Sequence, residues 1–167
     1  MKKLLFLLLA ISITSITYGQ QQKGDSEIQI SGFVSEFDGN FFGSVFLKFG
    51  KYFTDNLQLG ISPSLLFQTG DFSDTTIGAG AFLNYSFLAS DAKTVPYFGL
   101  SYRKEDIEEW DFDNGRVGAQ LGFKQFVTPK TAFDVSGNYL FAIPVGERDW
   151  DFSDGFIYLS FGFSYLF

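Results

Sequence analysis

The chain has 167 residues, of which 19 are acidic and 12 basic, for a formal charge of −7, and 20% are aromatic. It contains no cysteine and no histidine. These absences exclude disulfide frameworks, Ser–His and Cys–His catalytic pairs, and metal sites built on either residue. The acidic balance argues against nucleic acid as a partner.

The first 19 residues have the pattern of an export signal. A basic pair is followed by a mostly apolar stretch over 4–13, and 17–19 resembles a cleavage site. An apolar core this short does not provide the ~20 residues that a spanning helix needs. We therefore predict a signal peptide over 1–19, cleaved after Gly19, and one mature domain over 20–167.

The mature chain alternates apolar and polar side chains with period two, which predicts β-strands. A clear case places Val117, Ala119, Leu121 and Phe123 on the face opposite Gln120. The first segment does not reveal which of its faces is apolar. In chain order, the eight expected strands cover 27–37, 41–53, 57–69, 76–87, 95–104, 116–124, 133–143 and 157–167.

The connections between these segments alternate in length. Those at 54–56, 89–94 and 128–130 are short, whereas 103–114 and 146–155 are longer and strongly charged. Short periplasmic turns and longer outer loops are typical of outer-membrane barrels, so both termini are expected in the periplasm.

The polar face of the strands indicates where the apolar face points. Gly, Ser, Asn and Gln dominate it, and these small uncharged residues suit the narrow lumen of an eight-stranded barrel. The bulky opposite face then meets hydrocarbon. We predict an all-β fold, an eight-stranded antiparallel up-and-down transmembrane β-barrel. The alternative is a soluble secreted lipocalin-like β-barrel that carries an apolar ligand, in which the same alternation has the reverse sense.

Two segments carry a family resemblance. The unit Tyr52-Phe53-Thr54-Asp55-Asn56-Leu57-Gln58-Leu59-Gly60 and the ending Phe161-Gly162-Phe163-Ser164-Tyr165-Leu166-Phe167 resemble the small outer-membrane β-barrel proteins of the OmpA/OmpX-like class. The likeness of the last strand implies an assembly signal at Phe163, Tyr165 and Phe167. It also implies recognition by the outer-membrane assembly machinery.

Several charged residues fall on the expected lumen face. They are Lys48, Arg116, Lys124 and Asp134, to which Glu36 is added as a candidate. One interpretation is a polar pathway through the barrel. We favour a plug of paired charges, because buried charges need partners and an eight-stranded interior is filled by side chains.

The outer connections repeat a short acidic and aromatic motif every 40 residues, at 71–74, 111–114 and 151–154. The acidic residues with spacing reminiscent of a calcium loop are Glu109, Asp111, Asp113, Asp149 and Asp151. Neither the glycine position nor the twelfth position fits an EF-hand. We therefore expect a solvated rim with Trp110 and Trp150 at the membrane interface, and we predict no metal site, no cofactor and no catalytic residue.

The functional prediction is a non-enzymatic integral protein of the bacterial outer membrane, exported through the periplasm of a Gram-negative cell. It displays acidic, aromatic surface loops and has an envelope-structural or surface-interaction role. A histidine-independent envelope enzyme is the third hypothesis. The expected partners are outer-membrane lipids, lipopolysaccharide and the assembly machinery, and the expected state is a monomer.

Overall fold

The computed structural model describes residues 21–37, 40–69, 74–87, 93–104, 115–142 and 155–167. Within these ranges the chain forms nine β-strands: β1 Ser26–Phe37, β2 Asn40–Tyr52, β3 Leu57–Ile61, β4 Ser64–Gln68, β5 Asp74–Ser86, β6 Thr94–Lys104, β7 Gly115–Phe126, β8 Thr131–Ala142 and β9 Phe156–Leu166. No helix in the described ranges is long and apolar enough to cross a membrane.

Strands β3 and β4 together occupy one position in the wall, because both pair with β2 on one side and with β5 on the other. Pro63 separates them, since proline has no N–H to donate to a ladder. The Pro63 carbonyl still accepts a hydrogen bond of 3.0 Å from Leu47 N, and Ser62 N donates one of 2.8 Å to Gly80 O. The wall therefore has eight positions.

The sheet closes on itself. Each strand position pairs antiparallel with its neighbour in sequence, and β1 also pairs with the last strand, β9. Sequential antiparallel neighbours joined first to last form an up-and-down barrel. The predicted fold class is thus confirmed, including the strand number.

The two faces of the wall differ as the alternation predicts. Outward side chains are large and apolar, as at Leu121 (65% exposed) and Ile157 (74% exposed). Inward side chains are mostly small or polar and buried, among them Ser44, Asn84, Gln120, Ser136 and Ser160. The structure also settles the first strand, where Glu27 and Gln29 face the lumen and Ile30 faces outward.

The two ends of the barrel carry different connections. The turn end bears the four-residue links 53–56 and 127–130, together with Gln21 and Phe167. The links that contain 38–39, 70–73, 105–114 and 143–154 start and end at the loop end, whereas the link that contains 88–92 starts and ends at the turn end; these five ranges lie outside the described residues. The predicted strand over 95–104 agrees with β6, which ends at Lys104, so residues 103–104, where the predicted strand and the predicted loop overlapped, belong to the strand.

Candidate functional site

Side chains fill the lumen in layers, starting with an apolar floor at the turn end. This floor consists of Tyr52, Val95, Phe126, Ala132 and Leu166, each at most 3% exposed. The rings and aliphatic groups come from β2, β6, β7, β8 and β9, so the floor ties most of the circumference together. It closes the lumen at the end that carries Gln21 and Phe167.

A buried ion pair lies above the floor. Lys124 Nζ of β7 contacts Glu27 Oε1 at 2.7 Å and Glu27 Oε2 at 2.6 Å across the lumen. It also donates to the Tyr52 hydroxyl at 3.0 Å, and that hydroxyl donates to Glu27 Oε2 at 2.9 Å. Both charged side chains are 2% exposed. The three groups form a closed triangle of hydrogen bonds, which offsets the cost of burying the two charges.

A second buried carboxylate lies nearby on β8. Asp134 is 1% exposed and accepts a hydrogen bond of 3.0 Å from the Tyr97 hydroxyl of β6. Asp134 is directly opposite Lys124 on the neighbouring strand. A cation between two carboxylates reduces their mutual repulsion.

A row of amide side chains crosses the middle of the lumen. Lys48 Nζ donates to Gln120 Oε1 at 3.5 Å, the Gln120 amide donates to Asn84, and Asn84 Nδ2 donates to Gln58 Oε1 at 3.0 Å. Lys48 also lies 5.7 Å from the centre of the Phe82 ring, a cation–π contact. This row links β2, β7, β5 and β3 through side chains alone.

An arginine and a group of rings occupy the loop end of the lumen. The Arg103 guanidinium lies 4.0 Å from the centre of the Phe46 ring and 3.4 Å from the Tyr158 hydroxyl, to which it donates. We call the surrounding rings the loop-end aromatic cluster. Its members are Phe33, Phe42, Phe46, Phe156 and Tyr158.

The lumen residues predicted from the sequence are mostly confirmed. Lys48, Lys124 and Asp134 are buried inside, and Arg116 lies half-buried on the same face of β7 as Gln120. Glu36 is wrong as a lumen residue. It is exposed and lies directly opposite the outward-facing Phe41, because β1 directs its odd-numbered residues inward.

Sequence reasoning missed two charged groups of the lumen. Glu27 was left out because the faces of the first strand could not be assigned, and Arg103 was left out although it lies in the predicted strand over 95–104 as well as in the predicted loop over 103–114. The period of β6 offered a signal for the second, since Val95, Tyr97 and Gly99 precede Arg103 at steps of two. With these two, the charged residues on the described lumen face are Lys48, Arg103, Arg116 and Lys124 against Glu27 and Asp134.

The candidate acidic residues of the loops, Glu109, Asp111, Asp113, Asp149 and Asp151, lie outside the described residues. Within the described ranges, no group of three or more Asp, Glu, His or Cys is placed to hold a metal ion.

The three residues of the expected assembly signal are described. Phe163, Tyr165 and Phe167 all point outward at the turn end of the wall. The main chain of Phe167 is tied to the first strand, since Ser26 N donates to Phe167 O at 3.0 Å and Phe167 N donates to Ser26 O at 2.9 Å.

A closed wall that is apolar outside and a lumen filled with paired polar groups define a transmembrane β-barrel of the eight-stranded type. Solved structures share this fold. The N-terminal β-barrel domain of Pseudomonas aeruginosa OprF superposes with a TM-score of 0.59 and 16% identity, over 88% of this chain and 100% of that one.

Two further structures are similar. The outer membrane protein OprG from Pseudomonas aeruginosa gives a TM-score of 0.53 and 14% identity over 90% of this chain and 99% of its own. A de novo designed transmembrane β-barrel gives a TM-score of 0.54 and 14% identity over 89% of this chain and 99% of its own. No protein-family model and no curated protein matches the sequence. At these identities the likeness shows the fold alone, which is that of small outer-membrane barrels.

Proposed function

We propose that this membrane barrel is a non-enzymatic protein of the bacterial outer membrane that displays acidic, aromatic loops at the cell surface. Its role is to support the envelope or to contact a partner outside the cell. The observation that carries the proposal is the combination of an apolar outer wall with a filled lumen, because this architecture provides a scaffold rather than a channel.

The apolar outer surface of the wall indicates that the barrel is embedded in lipid. Its outward positions carry exposed large apolar side chains on every strand, for example Ile30, Leu59, Leu83, Leu121 and Phe161. A soluble monomer rarely exposes a contiguous apolar patch beyond a few hundred Å². A soluble carrier would need these groups inside and its Gln, Asn and Lys groups outside, which is the reverse of the observed arrangement.

The lumen argues for a scaffold. The buried ion pair, the amide row and the loop-end aromatic cluster follow one another along the barrel axis. Catalysis by a Ser–His or Cys–His pair is excluded by composition, because the sequence has neither histidine nor cysteine. We assign the surface role to the loops.

The loops support a surface role through their charge. Thirteen of the 19 acidic residues lie in or beside the expected outer connections. Carboxylates held close together attract divalent cations and basic partners. We propose that the barrel is a monomer surrounded by lipopolysaccharide and outer-membrane lipids. We also propose that the outer-membrane assembly machinery recognises its last strand.

Epitope insertion in intact cells tests the proposal. A tag placed within 105–114 should be labelled by antibody on intact cells, whereas the same tag at 128–130 should be labelled only after the outer membrane is permeabilised. The protein should sediment with the outer membrane and migrate faster on gels before boiling than after it. Release of the protein by osmotic shock without detergent would overturn the membrane assignment, and a reversed labelling pattern would overturn the orientation.

A deletion strain separates the two roles. An envelope-structural role predicts increased sensitivity to bile salts or detergent, restored by a variant whose loop residues Glu109, Asp111 and Asp113 are changed to Asn or Gln. A surface-interaction role predicts normal envelope resistance and a loss of cell binding that the same variant fails to restore. Normal resistance and normal binding in the deletion strain would contradict both.

A further inference from the structure

The seam between the first and last strands is paired along only part of its length. Strand β9 opposes β1 from the Glu27–Leu166 pair to the Gly32–Phe161 pair, and there the pairing of the described residues ends. Both strands continue towards the loop end, β1 to Phe37 and β9 from Phe156. Residues 33–37 and 156–160 therefore face each other without a ladder. We call this half the open seam.

The open seam is not a frayed end. On its other side, β1 pairs with β2 as far as Phe37 and Asn40, and β9 pairs with β8 as far as Leu140 and Phe156. Each strand is thus held in extended form by its other neighbour. Every second residue of such a strand directs its N–H and C=O groups into the gap.

A cleft of about 400 Å³ occupies the open seam. It is lined by the inward-facing Phe33, Ser35, Phe156 and Tyr158 and by the outward-facing Val34, Ile157, Leu159 and Phe161. The cleft lies where the ladder between β1 and β9 stops, so it adjoins both the lipid-facing Val34 and Leu159 and the Phe33 ring of the loop-end aromatic cluster. Its volume falls within the ~300–1,000 Å³ of typical small-molecule sites.

Aromatic contacts bridge the open seam where hydrogen bonds do not. The Phe33 ring of β1 lies 4.4 Å from the Tyr158 ring and 5.8 Å from the Phe156 ring of β9, measured between centroids. Van der Waals contacts between rings can re-form around an apolar guest. Parting a paired seam in lipid would instead leave backbone groups unsatisfied, which is costly.

We propose that the open seam is a lateral binding cleft for the hydrocarbon chain of a lipid-like amphiphile from the leaflet at the loop end. The chain lies against Phe33, Phe156 and Tyr158, and it enters between Val34 and Leu159, which are 66% and 61% exposed towards lipid. The polar head remains near the loop end, where the backbone groups of the gap offer it hydrogen bonds. An amphiphile fits this site because the cleft combines an apolar lining with backbone polar edges.

Cysteine pairs test whether the seam is open, and the chain has no cysteine of its own. The first variant combines Val34→Cys with Leu159→Cys, two positions that would lie directly opposite each other if the β1–β9 ladder continued beyond the Gly32–Phe161 pair. Ile30→Cys with Phe163→Cys is the matched control on an existing pair, also facing outward. A disulfide needs Cα atoms about 4.4–6.8 Å apart. We expect the control pair to oxidise and the test pair to oxidise more slowly in phospholipid vesicles; equal rates would show a closed seam and overturn the proposal.

Photolabelling tests entry of the chain. The purified barrel in phosphatidylcholine vesicles is irradiated with palmitic acid that carries a diazirine, and the labelled residues are located by mass spectrometry. Outward residues such as Leu121 should be labelled by bulk lipid. Labels on the inward-facing Phe33 and Tyr158 should also appear, whereas the inward Ser164 of the paired half should remain at background.

A filling variant separates entry through the seam from entry through the barrel mouth. Ser35→Trp should reduce the labels at Phe33 and Tyr158 to the background at Ser164 and leave Leu121 labelled; Ser35→Leu serves if the tryptophan variant does not assemble. Unchanged inward labels in the filled variant, or none in the parent, would overturn the proposal. Disulfides between two copies of the Val34→Cys and Leu159→Cys variant would overturn it in favour of a dimer. A lack of label at Leu121 would remove the membrane assignment and the cleft together.

Discussion

Removing one partner of the Lys124–Glu27 pair should destabilise the barrel strongly, because the other charge would remain buried without its counterion. Both side chains are 2% exposed, and the ammonium lies within 2.7 Å of each carboxylate oxygen. Breaking a buried pair from one side costs about 3–5 kcal/mol. For Lys124→Met we expect the lower part of this range, since the Tyr52 hydroxyl still donates to Glu27.

A double-mutant cycle gives this prediction its control. Glu27→Gln combined with Lys124→Met removes both charges, so the loss in the double variant should be well below the sum of the single losses. Lys130→Met in the exposed 127–130 turn should change the free energy of unfolding by less than about 0.5 kcal/mol. Urea titration in lipid vesicles measures the folded fraction from the unboiled gel band. If each single variant lowers the free energy of unfolding by less than about 1 kcal/mol, the pair contributes no more than a solvent-exposed ion pair. That result would refute the claim that the remaining charge is costly because it is buried.

Three further predictions concern the last strand, the lumen and the loops. Deleting Phe167 should lower the amount of assembled barrel in cells, because the main chain of this residue is bonded to Ser26 and the resemblance places an assembly signal here; unchanged levels would count against it. The pure monomer should show little steady conductance in planar bilayers, since the lumen is filled, and large stable steps would contradict this. Calcium should cause at most a small change in tryptophan fluorescence that disappears in the Asp111→Asn and Asp151→Asn double variant, whereas a saturable micromolar response would favour a metal site.

Local alternation was sufficient to predict most of the barrel. In β7, residues 117 to 124 reveal both faces because bulky apolar groups alternate with small or polar ones. Strand β1 did not, since Phe33 and Val34 are both apolar and lie on opposite faces. Pro63 fits the alternation but interrupts the hydrogen-bond ladder, and the backbone bonds on either side preserve the strand position.

The partners inside the lumen could not be read from the sequence. Glu27 and Lys124 are 97 residues apart, and their contact depends on barrel closure. The open seam is equally invisible to local pattern, because the two strands keep their alternation where their pairing stops. These features could not be predicted because the hydrophobic period does not specify the register between the first and last strands.

A scan of β7 tests the central claim, that the apolar face of the barrel meets lipid. Single cysteines at 119–124 of this cysteine-free chain, each spin-labelled in vesicles, report collision with apolar oxygen and with a water-soluble nickel chelate. The account predicts high oxygen and low nickel accessibility at Ala119, Leu121 and Phe123. Low accessibility to both reagents is predicted at Gln120 and Lys124. High nickel accessibility at the odd positions would contradict the account, because those side chains would then face water.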